Sequence, residues 1–441
     1  MYGLAHRIRP LYGKLVLIIA GTVFYTCGRL ETAYALLSSS ALTYLCALLL
    51  KKRSLKQLLY VPVIVNIAIL FWFKYTGFFL SILGSQTALQ ILLPVGISFY
   101  TFQQIAYLVS VDRKQIEPAL LDYLAYILYF PKLLMGPLAE PADLITQFSD
   151  PERKAFEAEA FAEGVRLFSY GLLKKVILAD TFARAIALIN ADLSTATAAE
   201  CLLMMVFYTF EIYYDFSGYS DMALGASKMM NLEIPVNFNR PYRAVNIRDF
   251  WKRWHMSLTQ FFTKYVYIPL GGSRNGTWKT YRNTMIVFLI SGLWHGANWT
   301  FLLWGFLHGL LSCFDRMTQT IQDKIPKILR WIVTFIAVSF LWLLFSASSV
   351  REWTDLIMKI FRWKDIAIRP EIPEVFRIFG NVLPGTYTAM ILFLGSGLVL
   401  SILPEHTENR RNGWNMILAA AAFALSVLFL GTESVFLYFG F

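Results

Sequence analysis

The chain has 441 residues, of which 57% are apolar and only 16% charged, against about 25% charged in an average globular protein. So little polar surface cannot coat water-facing domains of this length, which excludes a soluble multidomain protein and predicts an all-α, polytopic membrane protein. Forty Lys and Arg against 29 Asp and Glu leave a net +11; because the basic residues gather in short loops between apolar runs, that charge reads as membrane orientation, with no nucleic-acid partner expected.

A helix needs about 20 apolar residues to cross the hydrocarbon with every backbone amide bonded inside the segment. The first apolar run, residues 15–27, leads into Gly28 and Arg29 without a convincing cleavage site, so the N-terminus is expected to be retained. Spans are predicted at 32–50, 58–73, 89–109, 201–214, 328–345, 387–402 and 414–430. Three more, 120–138, 161–179 and 297–314, are interrupted by polar or helix-breaking residues, giving about ten membrane segments. The positive-inside bias puts Lys51, Lys52, Arg53 and Lys56 in the cytoplasm, followed by Lys324, Lys327 and Arg330, then Arg410 and Arg411. The C-terminus is then external. Loop 351–377 holds six basic and five acidic residues, so span counting alone places it outside. No internal repeat or linker stands out, and residues 1–441 read as one integral-membrane body.

Between 211 and 283 aromatics, charges, Gly and Pro mix too densely for plain lipid-facing helices, with turn signals at Pro235, Pro241, Pro269, Gly271-Gly272 and Asn275-Gly276. Irregular backbone at membrane depth is tolerated only inside protein or along a water-filled cavity, so the chemistry is expected here. In a helix Trp251, His255, Leu258 and Phe262 would share one face. That describes either an interfacial amphipathic helix with a core histidine or an imidazole facing the body. His295, in Gly292-Leu293-Trp294-His295-Gly296, is an ionisable group in a nearly neutral apolar setting, where burial is costly. Its flanking glycines either let two helices approach or make room for a substrate. His308 lies thirteen residues on; one continuous helix would hold the two rings roughly 20 Å apart, too far to share a reaction centre. His6 and His406 have polar flanks and are expected to be solvated.

Glu211, Asp215 and Asp221 enter the apolar centre and need partners. Arg240, Arg243, Arg248 and Arg253 could supply them, forming a structural ion-pair cluster or a polar tunnel wall. The aromatic end, residues 432–441, either belongs to an interfacial belt or inserts a hydroxyl into the body. Cys27, Cys46, Cys201 and Cys313 are isolated, and HExxH, GxSxG, Walker and GxGxxG patterns do not occur. Neither a metal site nor a tightly bound cofactor is expected.

The run Tyr214-Asp215-Phe216-Ser217-Gly218-Tyr219-Ser220-Asp221 precedes Phe238-Asn239-Arg240-Pro241-Tyr242, Asp249-Phe250-Trp251-Lys252-Arg253-Trp254-His255 and Tyr267-Ile268-Pro269-Leu270-Gly271-Gly272. Together with Phe130-Pro131-Lys132, Leu293-Trp294-His295-Gly296 and His308-Gly309, these motifs closely resemble the bacterial branch of the membrane-bound O-acyltransferase family over most of the chain. The resemblance implies a ring of membrane helices around a thinned centre. A funnel or tunnel there joins a cytoplasmic acyl donor, acetyl-CoA by this likeness, to an external acceptor. It makes His295 the essential residue and His255 the second, within a catalytic centre spanning 211–310. Asp215, Ser217, Asp221, Arg253, Asn298 and His308 become candidate supporting residues of the tunnel, and Tyr438 a candidate acyl relay. It further implies a multi-pass protein of the bacterial inner membrane, in contact with lipid, with an external acyltransferase partner and a polysaccharide acceptor. Many relatives begin with another hydrophobic segment, whereas Met1 falls near their first basic loop; the first span is expected to be missing or the start codon misassigned. Two rivals are D-alanyl transfer onto teichoic acid from a carrier protein, and a polysaccharide-precursor flippase, which predicts inverted repeats that the sequence does not display.

Overall fold

The computed structural model describes residues 2–52, 57–84, 91–150, 153, 156–378, 380, 385–403, 413–430 and 436–437; Arg53, Lys56, His406, Arg410, Arg411 and Tyr438 lie outside them. All regular structure among the described residues is helical. Pro10–Cys27, Leu30–Lys52, Leu59–Ile82 and Lys327–Ser346 are long and apolar enough to cross a membrane, and Thr386–Ile402 and Gly413–Leu428 are shorter apolar helices. The chain is a multi-pass membrane protein. Contacts divide it into two compact units, Met1–Ser169 with Tyr219–Val236, and Tyr170–Gly218 with Asn237–Phe441.

The first unit contains α1 (Tyr2–Ile8), α2 (Pro10–Arg29), α3 (Ala33–Lys52), α4 (Gln57–Ile82), α5 (Ile97–Asp112), α6 (Leu120–Ile127), α7 (Phe130–Leu133), α8 (Pro141–Ser149) and most of α9 (Ala158–Leu173). The span expected at 89–109 starts only at Ile97, because Pro94 offers no amide and Gly96 adopts a φ of 73°. That expected at 120–138 breaks at Leu128–Tyr129, and Pro131 opens α7 in its first turn. Polar side chains pin the helices: Gln104 Nε2 donates to Ser39 Oγ and Ser40 Oγ at 3.1 Å each, and Asn66 Nδ2 to Thr43 Oγ1 at 3.0 Å. Buried Lys132 donates to Gln103 Oε1 at 2.5 Å and stands 3.8 Å over the Tyr126 ring. His6 is not solvated as its flanks suggest; it is buried and its Nε2 donates to the Asp150 carbonyl at 3.3 Å.

The second unit adds α10 (Asp180–Asn190), residues 198–218 of α11 (Ala198–Met229), α12 (Ile247–Trp251), α13 (Met256–Phe262), α14 (Thr277–His295), α15 (Trp299–Met317), α16 (Gln319–Gln322) and α17 (Lys327–Ser346). Then follow α18 (Val350–Arg362), α19 (Glu371–Glu374), α20 (Thr386–Ile402) and α21 (Gly413–Leu428). A π-helical turn, Lys174–Ala179, joins α9 to α10. Phe182 anchors a core cluster, its ring 5.8, 5.5, 6.0 and 5.1 Å from those of Phe207, Phe210, Phe376 and Phe393. The irregular middle expected over 211–283 is narrower than that: the acidic stretch 211–221 lies within continuous α11, and non-helical backbone begins only after residue 229. A helix can carry these acids because it is buried in protein and does not face lipid. Loop 351–377 opens with α18, whose Leu356 and Ile360 are buried and whose start is capped by Ser349 accepting from Glu352 N.

Candidate active site

Helix α14 ends on His295, where Gly296 takes an extended φ of −169°. Asn298 then starts α15: its Oδ1 accepts from Thr300 N at 3.1 Å and its Nδ2 donates to the Ser348 carbonyl at 2.9 Å. Asn298 thus caps α15 and ties its start to the Ser348 carbonyl. The hairpin closes tightly because a Cβ on Gly292 would stand 2.4 Å from the Phe301 carbonyl oxygen, and one on Gly305 would meet the Phe288 carbonyl at 2.4 Å. The Phe301 ring fills the space beside Gly296. Of the two readings for these glycines, helix approach is what the structure shows.

His295 is 4% exposed, its ring 4.8, 5.2 and 5.0 Å from those of Trp294, Trp304 and Phe345. The expectation that His308 is remote fails, because 295 and 308 do not share a helix. The turn at 296–298 folds α15 back, and the His308 ring lies 4.8 Å from the same Trp304. Fully buried His308 accepts at Nδ1 from Trp251 Nε1 at 3.3 Å, so its proton sits on Nε2. That Nε2 has no hydrogen-bond partner among the described residues.

His255 also departs from the helical stripe read from its neighbours. It separates α12 from α13 with φ 44° and ψ 53°, in the left-handed region, where a non-glycine residue stores about 1–3 kcal/mol and strain gathers at functional sites. Asn237 holds the bend: its carbonyl accepts from Met256 N at 2.9 Å, and its Oδ1 from Ser257 Oγ at 2.6 Å. At 1% exposure the His255 ring lies 4.6 Å from Phe216 and 6.3 Å from Trp294, the ring that also touches His295. The second unit therefore gathers three buried histidines around Trp294 and Trp304.

Asp215 finds a partner other than the four arginines. Asp215 accepts from Lys175 Nζ at 2.6 Å, and Lys175 also reaches Asp180 at 2.9 Å. Arg253 instead pairs with Asp249 at 2.8 Å, and Arg248 with Asp315 at 3.5 Å. Lys175 comes so near because a Cβ on Gly218 would stand 2.8 Å from the Gly171 carbonyl and 3.1 Å from Lys175 N; only glycine admits this contact. Ser217 is fully buried, and its Oγ has no hydrogen-bond partner among the described residues. Buried Asp221 belongs to the first unit. Leu437 N donates to Asp215 Oδ2 at 3.0 Å and Lys175 Nζ stands 4.5 Å over the Phe436 ring. The chain end is thus tied to this pair immediately before Tyr438. Lys175 went unread in the sequence, where its only signal is the pair Lys174-Lys175 inside an apolar run. No group of three or more His, Cys, Asp or Glu suited to a metal occurs among the described residues.

A model of the MBOAT, membrane-bound O-acyltransferase family matches residues 114–351. The chain is similar to a peptidoglycan O-acetyltransferase of Helicobacter pylori, 32% identical over 99% of this chain and 93% of that protein. It is also similar to the probable alginate O-acetylase AlgI of Pseudomonas aeruginosa, 36% identical over 79% of this chain and 70% of the relative. A teichoic acid D-alanyltransferase of Streptococcus thermophilus is 29% identical over 60% of this chain and 70% of its own length. With its motifs in family order and this likeness along nearly its whole length, the chain belongs to the membrane-bound O-acyltransferase family and is an O-acyltransferase.

Proposed function

We propose that the protein moves an acetyl group from a cytoplasmic thioester, acetyl-CoA, across the bacterial inner membrane for O-acetylation of a cell-surface or exported polysaccharide. The observation that carries this reading is the packing of His255 and His295 against one ring, Trp294, deep in the second unit. In the reaction the acceptor hydroxyl oxygen bonds to the thioester carbonyl carbon while a ring nitrogen of neutral His295 takes the hydroxyl proton. The carbon–sulfur bond then breaks, and the departing thiolate receives that proton. His255 stabilises the oxyanion that forms on the carbonyl in between. About ten membrane segments around a thinned centre give donor and acceptor access to His295 from opposite sides. The hydroxyl is that of Tyr438, from which an external acyltransferase passes the acetyl group on. The docking of Phe436 and Leu437 on Lys175 and Asp215 supports a tail held at the body.

Acetyl is favoured over D-alanyl because the relatives named for O-acetyl transfer cover 99% and 79% of this chain and the D-alanyltransferase 60%. The test uses the purified protein in sealed vesicles with radiolabelled acetyl-CoA on the side bearing Lys51 and Lys52. Label on the terminal peptide or on an added polysaccharide across the bilayer is expected, and replacing His295 abolishes it. Label that moves only from a D-alanyl carrier protein overturns the acetyl assignment, and full activity of Tyr438→Phe overturns the relay.

A further inference from the structure

Helix α18 leaves the end of α17 through Ala347, Ser348 and Ser349 and turns back across it. Trp353 Nε1 donates to the Phe340 carbonyl at 3.2 Å, and eight residues on, the Phe361 ring stacks on that of Phe340 with centroids 6.0 Å apart. The apolar side of α18 is wider than the body covers. Leu356 and Ile360 are buried, and Lys359 Nζ donates to the carbonyls of Leu193, Ser194 and Ala196 at 2.6, 2.9 and 3.1 Å. Beside them Met358 and Phe361 are exposed, Phe361 by 74%. Trp363 ends the helix in the left-handed region, φ 46°, and its indole, like Ile366 after it, stands in the open. The same uncovered surface continues on α17, which is long and apolar enough to cross a membrane. Leu329, Ile332, Val333 and Ile336 are exposed along one side of it and lead to Phe340. Acyl chains that cover this side of a span therefore also meet Phe361. Phe340 lies six residues before the end of α17, roughly 9 Å along the helix, and interfacial helices seat about 5–10 Å into the boundary between headgroups and chains. Arg362 and Lys364 alternate with the exposed aromatics and make no ion pair among the described residues. The neighbouring carboxylate, Asp365, accepts from Ala367 N at 3.0 Å.

We infer that α18 is an interfacial helix that binds phospholipid of the outer leaflet, and that this attachment steadies the turn behind His295. Met358, Phe361, Trp363 and Ile366 lie among the acyl chains, and Arg362 and Lys364 reach the phosphates. Lys324, Lys327 and Arg330 put the opposite end of α17 in the cytoplasm, so the leaflet at α18 is the outer one. The link to the site is short. Glu352, in the first turn of α18, accepts from Ser348 N at 3.3 Å and from Ser348 Oγ. The Ser348 carbonyl in turn accepts from Asn298 Nδ2 at 2.9 Å, three residues after His295. A helix fastened in the leaflet thus holds one side of that turn, whichever acyl group is moved. An external protein seated on Phe361 and Trp363 is the competing occupant.

The experiment uses the purified full-length protein in vesicles of phosphatidylcholine and phosphatidylglycerol in equal parts, with chains brominated near the headgroup. Subtracting the emission of Trp363→Phe from that of the wild type isolates one of the chain's 12 Trp. That difference should be quenched about twofold or more by the brominated chains and little by iodide in the water. Phosphatidylglycerol should raise acyl turnover of the wild type roughly fivefold over phosphatidylcholine alone. Arg362→Gln with Lys364→Gln should lose this stimulation and keep the turnover seen in phosphatidylcholine. Quenching of Trp363 by iodide and not by bromine overturns the lipid assignment and leaves the face to a protein partner. Bromine quenching with turnover indifferent to phosphatidylglycerol overturns the link to the His295 turn, as does a double variant that is stimulated like the wild type.

Discussion

Lys175, Asp215 and Asp180 meet in one buried part of the second unit as point charges 2.6 and 2.9 Å apart, whereas His255, His295 and His308 lie in another among aromatic ring edges at 4.6–5.2 Å. The first group tolerates burial because each charge touches its opposite. The second needs no counter-ion, since a neutral imidazole can be enclosed by rings and still exchange a proton. The difference separates charged groups buried in contact with their opposites from neutral rings buried among rings, in a chain where both kinds of polar residue interrupt apolar sequence.

The sharpest way to break this contrast is His295→Gln. Acyl transfer should fall roughly 10²–10⁴-fold with the membrane level and unfolding midpoint unchanged; a folded variant retaining a tenth of its activity would remove the proton-transfer role from the histidine group. Lys175→Met should do the opposite. It leaves Asp215 buried beside too little positive charge and destabilises the protein by about 3–5 kcal/mol, read by thermal unfolding in detergent. Adding Asp215→Leu should recover much of that loss, and strict additivity would show that the two do not act as a pair. Gly292→Ala forces a methyl against the Phe301 carbonyl and should cost about 1–3 kcal/mol; it should also slow turnover by displacing His295, and unchanged stability would contradict the close α14–α15 contact. Asn298→Ala removes the cap and the tie to Ser348, so a loss of about 1 kcal/mol is expected, with the donor KM unaltered; a large KM effect would place Asn298 on the substrate path.

Membrane class, helical content and family were legible in the sequence because they depend on composition and on short motifs in order. Backbone departures were not. The stripe through Trp251, His255 and Leu258 assumed a helix, but His255 turns left-handed where Asn237 holds Ser257, twenty residues away, a contact that periodicity does not register. His308 was set aside on the geometry of a straight helix that Gly296 and Asn298 interrupt. The partner of Asp215 was sought among nearby arginines; Lys175, forty residues upstream, reaches it because a π-helical turn lies against Gly218. In each case a local pattern assumed regular helix or sequence neighbours, and a turn or a distant contact decided the outcome.

The hydrogen bond from Leu437 N to Asp215 bears on how the protein is handled. A truncation that ends before Phe436 would deprive a buried acid of one of its donors and Lys175 of the ring it stands over, loosening the interior pair from outside the helices that carry it.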